Sequence, residues 1–332
     1  MPLLEARDAG LYCPAGDFYI DPCVPVDRAV ITHAHSDHAV AGSRSYLTAS
    51  PGVALLLARV GSDAAIQSLP YGEPLRIGDV TLSLHPAGHI LGSAQVRLER
   101  AGEVWVVSGD YKLAPDPTCP PFEPQRCHTF VTESTFALPI FRWPEASEAI
   151  AGIEAWWRAN QEAGRASLLF AYPMGKMQRV LASLDASIGP IVCHGAVERY
   201  SRIYGEEGIA IPASAPVWKD YSRALVAGPP SAHNSPWTRR FGAASTALVS
   251  GWMRIRGTRR RRSLDRGFVL SDHADWPALL RAIDESGAET VWVTHGYRAP
   301  LVRWLHEHGR QAVAIETRLS EAEVEPQEEA TA

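Results

Sequence analysis

Between residues 29 and 40 the chain reads AVITHAHSDHAV, which sets His33, His35, Asp37 and His38 within six positions directly after an apolar run. Imidazole nitrogens and carboxylate oxygens at this density are the donor set of divalent cations that take nitrogen and oxygen ligands. A histidine-rich polar turn is the alternative. In an extended segment residues i and i+2 share a face, so His33 and His35 are expected on one ion, with Asp37 and His38 reaching a second. Neither set is complete, so further ligands are expected at other strand ends. The candidates are His89 in PAGH for the first ion, Asp110 in VVSGD as a bridge, and His295 in VTHG for the second. No thiolate is in the set, so zinc or manganese would serve, and iron would fit the same positions.

These residues occupy one recurring place in the hydropathy pattern. Apolar runs stop abruptly at polar residues in ITHAHSDH, PAGH, VVSGD, VTEST, VLSDH and VTHG. Side chains at one end of many strands can converge although distant in sequence, because the sheet holds them rigidly. DRAVITHAH, DVTLSLHPAGH, AQVRLER, EVWVVSGD and HTFVTEST read as strands, and SPGVALLLARVG as a helix. From about residue 143 the texture changes. WPEASEAIAGIEAWWRANQEAG has helical spacing, ASLLFAYPMGKMQRVLASL reads as strand, turn and helix, and PIVCHGAV as a strand. This alternation predicts a separate parallel α/β unit. Residues 225–240 read as loop, after which TALVSGW, GFVLSDHAD and TVWVTHGY resume the strands.

Composition narrows the class. The chain has 332 residues and 46% hydrophobic content, enough for a real core. No apolar stretch is long enough for a transmembrane helix, and the opening residues do not read as a signal peptide. Five cysteines without C-x-x-C spacing argue against a disulfide framework, so a cytoplasmic enzyme is expected. The net charge of −5 hides an uneven distribution. RIRGTRRRRSLDR carries Arg254, Arg256, Arg259, Arg260, Arg261, Arg262 and Arg266, whereas SEAEVEPQEEATA is acidic and expected to be disordered.

HAHSDH at 33–38, GH at 88–89, SGD at 108–110 and the late His295 together resemble the metallo-β-lactamase superfamily. Asp21, in FYIDP, matches the acidic residue that precedes and orients the motif. Glu133 in VTESTF, His273 in VLSDHADW and His295 in VTHGY resemble the three further motifs of the β-CASP nucleases. The resemblance implies an α/β fold: a metallo-β-lactamase αββα sandwich over residues 1–142 and 246–318, an inserted α/β β-CASP domain over 143–245, and an acidic tail over 319–332. It implies phosphodiester hydrolysis by a hydroxide bridging two divalent ions, with Asp37 in the catalytic set and His273 as general acid oriented by Glu133.

GHILGSAQ, SGDYK, TESTF, AYPMGKMQR, SGWMRIRG and LSDHADW further resemble the bacterial ligase-associated exonucleases. That group implies DNA processing on single strands or at ends in repair, beside an ATP-dependent DNA ligase and a helicase. An RNA-processing β-CASP ribonuclease is the alternative, kept open by His295. A non-catalytic nucleic-acid-binding module is the alternative of another class. Lys112, Lys176, Arg254, Arg256, Arg259 and Arg260 are the expected phosphate contacts. Trp156 and Trp157 are expected in packing.

Overall fold

The computed structural model describes residues 2–216, 220–255, 257 and 263–316. They form a mixed α/β protein with three sheets and two compact units: residues up to 142 together with those from 273 onward, and residues 143–272.

The first unit opens with a six-stranded sheet ordered as in the chain. Its strands are β1 (Glu5–Arg7), β2 (Gly10–Cys13), β3 (Phe18–Ile20), β4 (Arg28–Val30), β5 (Ser45–Ala49) and β6 (Ile66–Leu69). β1 to β3 pair antiparallel and β3 to β6 pair parallel. Helix α1 (Val53–Val60) follows β5. Strands β7 (Leu75–Ile77), β8 (Val80–Pro86), β9 (Ala94–Arg100), β10 (Glu103–Val107) and β11 (Thr129–Ser134) build most of a second sheet.

The second unit holds five parallel strands: β12 (Ala166–Phe170), β13 (Ile191–Cys193), β14 (Leu225–Gly228), β15 (Ala244–Val249) and β16 (Arg266–Phe268), in the order β13-β14-β12-β15-β16. Helices α2 (Ala146–Glu162), α3 (Lys176–Ser183), α4 (Gly195–Glu206) and α5 (Pro236–Arg239) belong to it. Trp156 and Trp157 are buried, and their indole N–H groups donate to Ser245 Oγ and the Arg223 carbonyl. The sequence expectation closed this unit at residue 245. Instead, β15 and β16 complete its sheet, and the unit runs to residue 272. The 225–240 segment also departs from its loop reading. Leu225–Gly228 is a fully buried strand between β12 and β13, and the Pro-Gly-Ser cluster that suggested a loop begins only where that strand ends.

The chain then returns to the first unit with α6 (Trp276–Ser286), β17 (Thr290–Gly296), α7 (Arg298–Glu307) and β18 (Gln311–Ala314). β17 pairs parallel with β11 and with β18, which completes seven strands in the order β18-β17-β11-β10-β9-β8-β7. Alternation assigns the faces. Trp105, Val107 and Val131 meet Val30, Leu47 and Phe18 of the first sheet, whereas Val106, Phe130, Val291 and Val293 meet Leu279 and Ile283 of α6 and Leu301 of α7. Burial on both faces is why β10 reads as a continuous apolar run after Glu103, and it leaves every residue of β11 buried. It also fixes them rigidly, so that the polar residues beyond their carboxyl ends are held in place.

Candidate metal centre

Apart from His273, which precedes the helix at Trp276–Ser286, the titratable residues of the site lie in the turns after strands or in a strand's last residues, all within the first unit. Asp21 follows β3, with a left-handed backbone (φ 44°) that a short polar side chain tolerates. Residues 32–38 follow β4, His89 follows β8 and Asp110 follows β10, while Glu133 lies in β11 and His295 in β17. Glycines permit two of these turns. A side chain on Gly109 (φ +55°) would stand 2.7 Å from Thr32 Cβ, and one on Gly88 (φ +73°) would stand 2.3 Å from the Lys112 carbonyl. His295 is aimed by a bulge: Thr132 pairs with Val293 and Ser134 with Gly296, which leaves two residues of β17 opposite the single Glu133.

Asp110 is the centre of the cluster. Its carboxylate lies 3.4 Å from His33 Nε2, 3.5 Å from His38 Nε2, 3.7 Å from His89 Nε2, 3.0 Å from His295 Nε2 and 3.9 Å from His273 Nδ1. Among the described residues three groups have ligand atoms mutually within 4.8 Å: His33, His35 and His89; His38 and His295; and Glu133 and His273, each with Asp110. Asp37 stands at the edge, 38% exposed, with Oδ2 3.6 Å from His38 Nε2.

The geometry fits cations. Ligands about 2.0–2.2 Å from a tetrahedral ion stand roughly 3.4 Å from each other. The separations of 3.4 and 3.5 Å from Asp110 to His33 and His38 match this and are too long for strong hydrogen bonds. Among the described residues His33 Nε2 is buried with no hydrogen-bond partner, an arrangement that is costly unless something electropositive faces the nitrogen.

The outer contacts orient the rings. His38 Nδ1 contacts Asp21 Oδ2 at 2.7 Å and donates to it, since a carboxylate only accepts. Asp21 also accepts from the Thr32 backbone N–H at 2.8 Å and the Thr32 hydroxyl at 2.6 Å. The His89 backbone N–H donates to Ser93 Oγ at 3.1 Å, which fixes the turn that carries the ring. His273 Nδ1 lies 3.1 and 3.0 Å from the two oxygens of Glu133, which is buried and accepts from the Tyr111 N–H at 2.9 Å.

Charge follows the same map. Burial lowers His33 and His89 below the ordinary histidine range. Burial opposes charge on His38 too, but Asp110, Asp37 and Asp21 outweigh it and hold that ring well above the ordinary value. For Asp37 and Asp110 burial pushes upward. The surrounding rings, His38 foremost, reverse it and keep both carboxyls low.

The phosphate contacts expected from the sequence fare unevenly. Lys112 is corrected: it is 2% exposed and pairs with Asp116 at 2.5 Å, so its ammonium is not available to a substrate. Lys176 Nζ lies 3.5 Å from Asp272 and is 13% exposed. The Gly175 N–H beside it donates to Gln178 Oε1 at 2.8 Å. Arg254 is exposed. Arg256, Arg259, Arg260, Arg261 and Arg262, and the 319–332 tail, lie outside the described residues. Among residues the sequence reading passed over are Thr32, Thr294 and Ser134. Ser134 Oγ donates to the Thr294 carbonyl at 2.8 Å and also to that of His295. The repeated Thr-His pair was the one available signal.

No family model matches the chain. It is 32% identical over 313 residues to a protein of Opitutus terrae named probable DNA ligase, a match covering 92% of this chain and 30% of that protein. It is 33% identical over 135 residues to a ribonuclease of Thermus thermophilus, covering 31% of each. It is also 33% identical over 132 residues to a transcription termination factor of Pyrococcus abyssi, covering 37% of this chain and 20% of the factor. The chain thus spans at most 31% of the length of these relatives. A solved Enterococcus faecalis protein of unknown function is similar in fold, with TM-score 0.58 at 12% identity over 89% of this chain and 80% of that one. No helix among the described residues is long and apolar enough to cross a membrane.

Proposed function

We propose that this chain is a metal-dependent nuclease hydrolysing phosphodiester bonds of DNA, on single strands or at ends, in DNA repair. In this reading the described residues up to 142 and from 273 to 316 form a metallo-β-lactamase αββα sandwich, and the unit between them is the β-CASP insertion. The observation that carries it is the convergence of His33, His38, His89, His273 and His295 on the single carboxylate of Asp110.

Two divalent ions, zinc or manganese with iron as the further option, fit the donors. His33, His35 and His89 would hold one, His38 and His295 the other with Asp37 at its edge, and Asp110 would be shared. Bound at such a centre, they supply a nucleophilic water near neutral pH and neutralise phosphate charge. Asp21 holds His38 with Nε2 toward the donors. Glu133 takes the Nδ1 proton of His273 in a forked hydrogen bond and stabilises positive charge on the ring. Nε2 is therefore the nitrogen left to deliver a proton to the departing sugar oxygen.

DNA is placed first because the relative named probable DNA ligase aligns with 92% of this chain, whereas the ribonuclease aligns with 31%. A segment like this chain makes up 30% of that ligase-named protein, which supports an association with a DNA ligase. The ribonuclease likeness favours a second reading, RNA processing. End-labelled single-stranded DNA and RNA of equal sequence, incubated with the metal-loaded protein, test both. DNA is expected to be shortened and Asp37→Ala to abolish it. Faster loss of RNA would favour the second reading, and intact strands with every metal would contradict both.

A further inference from the structure

We infer that Thr32 and Thr294 are positioning residues that fix the tautomers of His33 and His295, so that both rings present an unprotonated Nε2 to the metal centre. The inference rests on the metal-centre reading and assigns it two residues. A threonine hydroxyl has one proton. Thr32 Oγ1 lies 2.6 Å from Asp21 Oδ2, a carboxylate oxygen that can only accept, so the Thr32 proton goes there. The same Oγ1 lies 3.1 Å from His33 Nδ1. With its proton engaged, Oγ1 can only accept, and His33 Nδ1 must be the donor.

The second pair repeats the arrangement on an unrelated element. Thr294 Oγ1 donates to the Thr132 carbonyl at 3.2 Å and stands 3.0 Å from His295 Nδ1, which therefore donates to it. A neutral imidazole protonated on Nδ1 carries its lone pair on Nε2. These are the atoms that face Asp110, at 3.4 Å from His33 and 3.0 Å from His295. Without a cation, the 3.0 Å contact of His295 with Asp110 Oδ1 would favour a proton on Nε2 donated to the carboxylate, in competition with the threonine; a cation bound there removes that competition. The two threonines thus hold both rings in the form that a metal stabilises and a metal-free protein resists. One acts from the turn after β4, the other from the bulge of β17, so neither follows from the other's packing.

The test uses the full chain, stripped with chelator and titrated with Zn²⁺ or Mn²⁺. Thr32→Val and Thr294→Val keep the branched shape and remove the acceptor, while Thr32→Ser and Thr294→Ser restore the hydroxyl. Each valine variant is expected to bind metal 10–100-fold more weakly, and each serine variant to recover most of that loss. Long-range ¹H–¹⁵N spectra of the metal-free wild type are expected to show the proton of His33 and His295 on Nδ1. Folded valine variants that bind as tightly as wild type, or wild-type spectra with the proton on Nε2, would overturn the inference. Wild-type protein that takes up no metal would instead overturn the metal centre, and the spectra would still decide the threonines.

Discussion

His273 and Glu133 show how much one ring can be asked to do. In the proposed reading the forked contact through Nδ1 assigns proton delivery to Nε2, and His273 is outside the ligand sets of the two proposed ions. His273→Ala is therefore expected to slow cleavage about 10²–10⁴-fold while metal content, read by elemental analysis, stays at the wild-type level. Full activity in that variant would contradict the general-acid role. His38 gives a second expectation at this scale. Its pKa, raised well above the ordinary value, favours the protonated ring in the metal-free protein, whereas burial shifts His33 and His89 toward the neutral form. Coordination requires the neutral ring, so metal uptake at pH 7 should release a proton from His38. Calorimetry in buffers of different ionisation enthalpy measures it, and His38→Ala should abolish that contribution. The H-x-H-x-D-H cluster was legible because its donors are consecutive. Lys112 was misread because nearness to Asp110 in sequence says nothing about direction, and its partner Asp116 takes the charge inward. Of the threonine contacts only the repeated Thr-His pair shows in the sequence, because the acceptors of the two hydroxyl protons, Asp21 and the Thr132 carbonyl, lie far away along the chain.

At the scale of elements, the site depends on strand ends whose turns admit no substitute. Gly109 carries Asp110 over the Thr32 side chain, so Gly109→Ala forces a Cβ to 2.7 Å from Thr32 and strains a left-handed residue. It is expected to destabilise the fold by about 1–3 kcal/mol and to weaken metal binding. Thermal melts with and without metal check this, and an unchanged melting temperature would show that the turn relaxes freely. The endings of the apolar runs could be read because each strand is packed on a rigid sheet. The bulge that aims His295 could not, since it is defined by register against β11 rather than by any residue of β17. Strand β14 was hidden for a simpler reason: four buried residues directly precede two prolines, and the breaker signal outweighed so short a run.

At the scale of the molecule, a net charge of −5 coexists with the arginine run at 254–266. If that run holds phosphates, replacing Arg259, Arg260, Arg261 and Arg262 with alanine should weaken binding to all sequences alike. It should also flatten the salt dependence of binding by about 0.7 per lost contact on single strands. Fluorescence titration of a labelled oligonucleotide at several salt concentrations reads the slope, and an unchanged slope would remove the run from the substrate path. The most direct test of the central claim is a metal add-back on end-labelled single-stranded DNA, comparing chelator-stripped wild type with Asp110→Asn. Cleavage is expected to return to the wild type with Mn²⁺ or Zn²⁺ and to stay absent in the variant, whose shared carboxylate is gone. Cleavage that persists after stripping, or that Asp110→Asn retains, would contradict a metal-dependent centre built on Asp110.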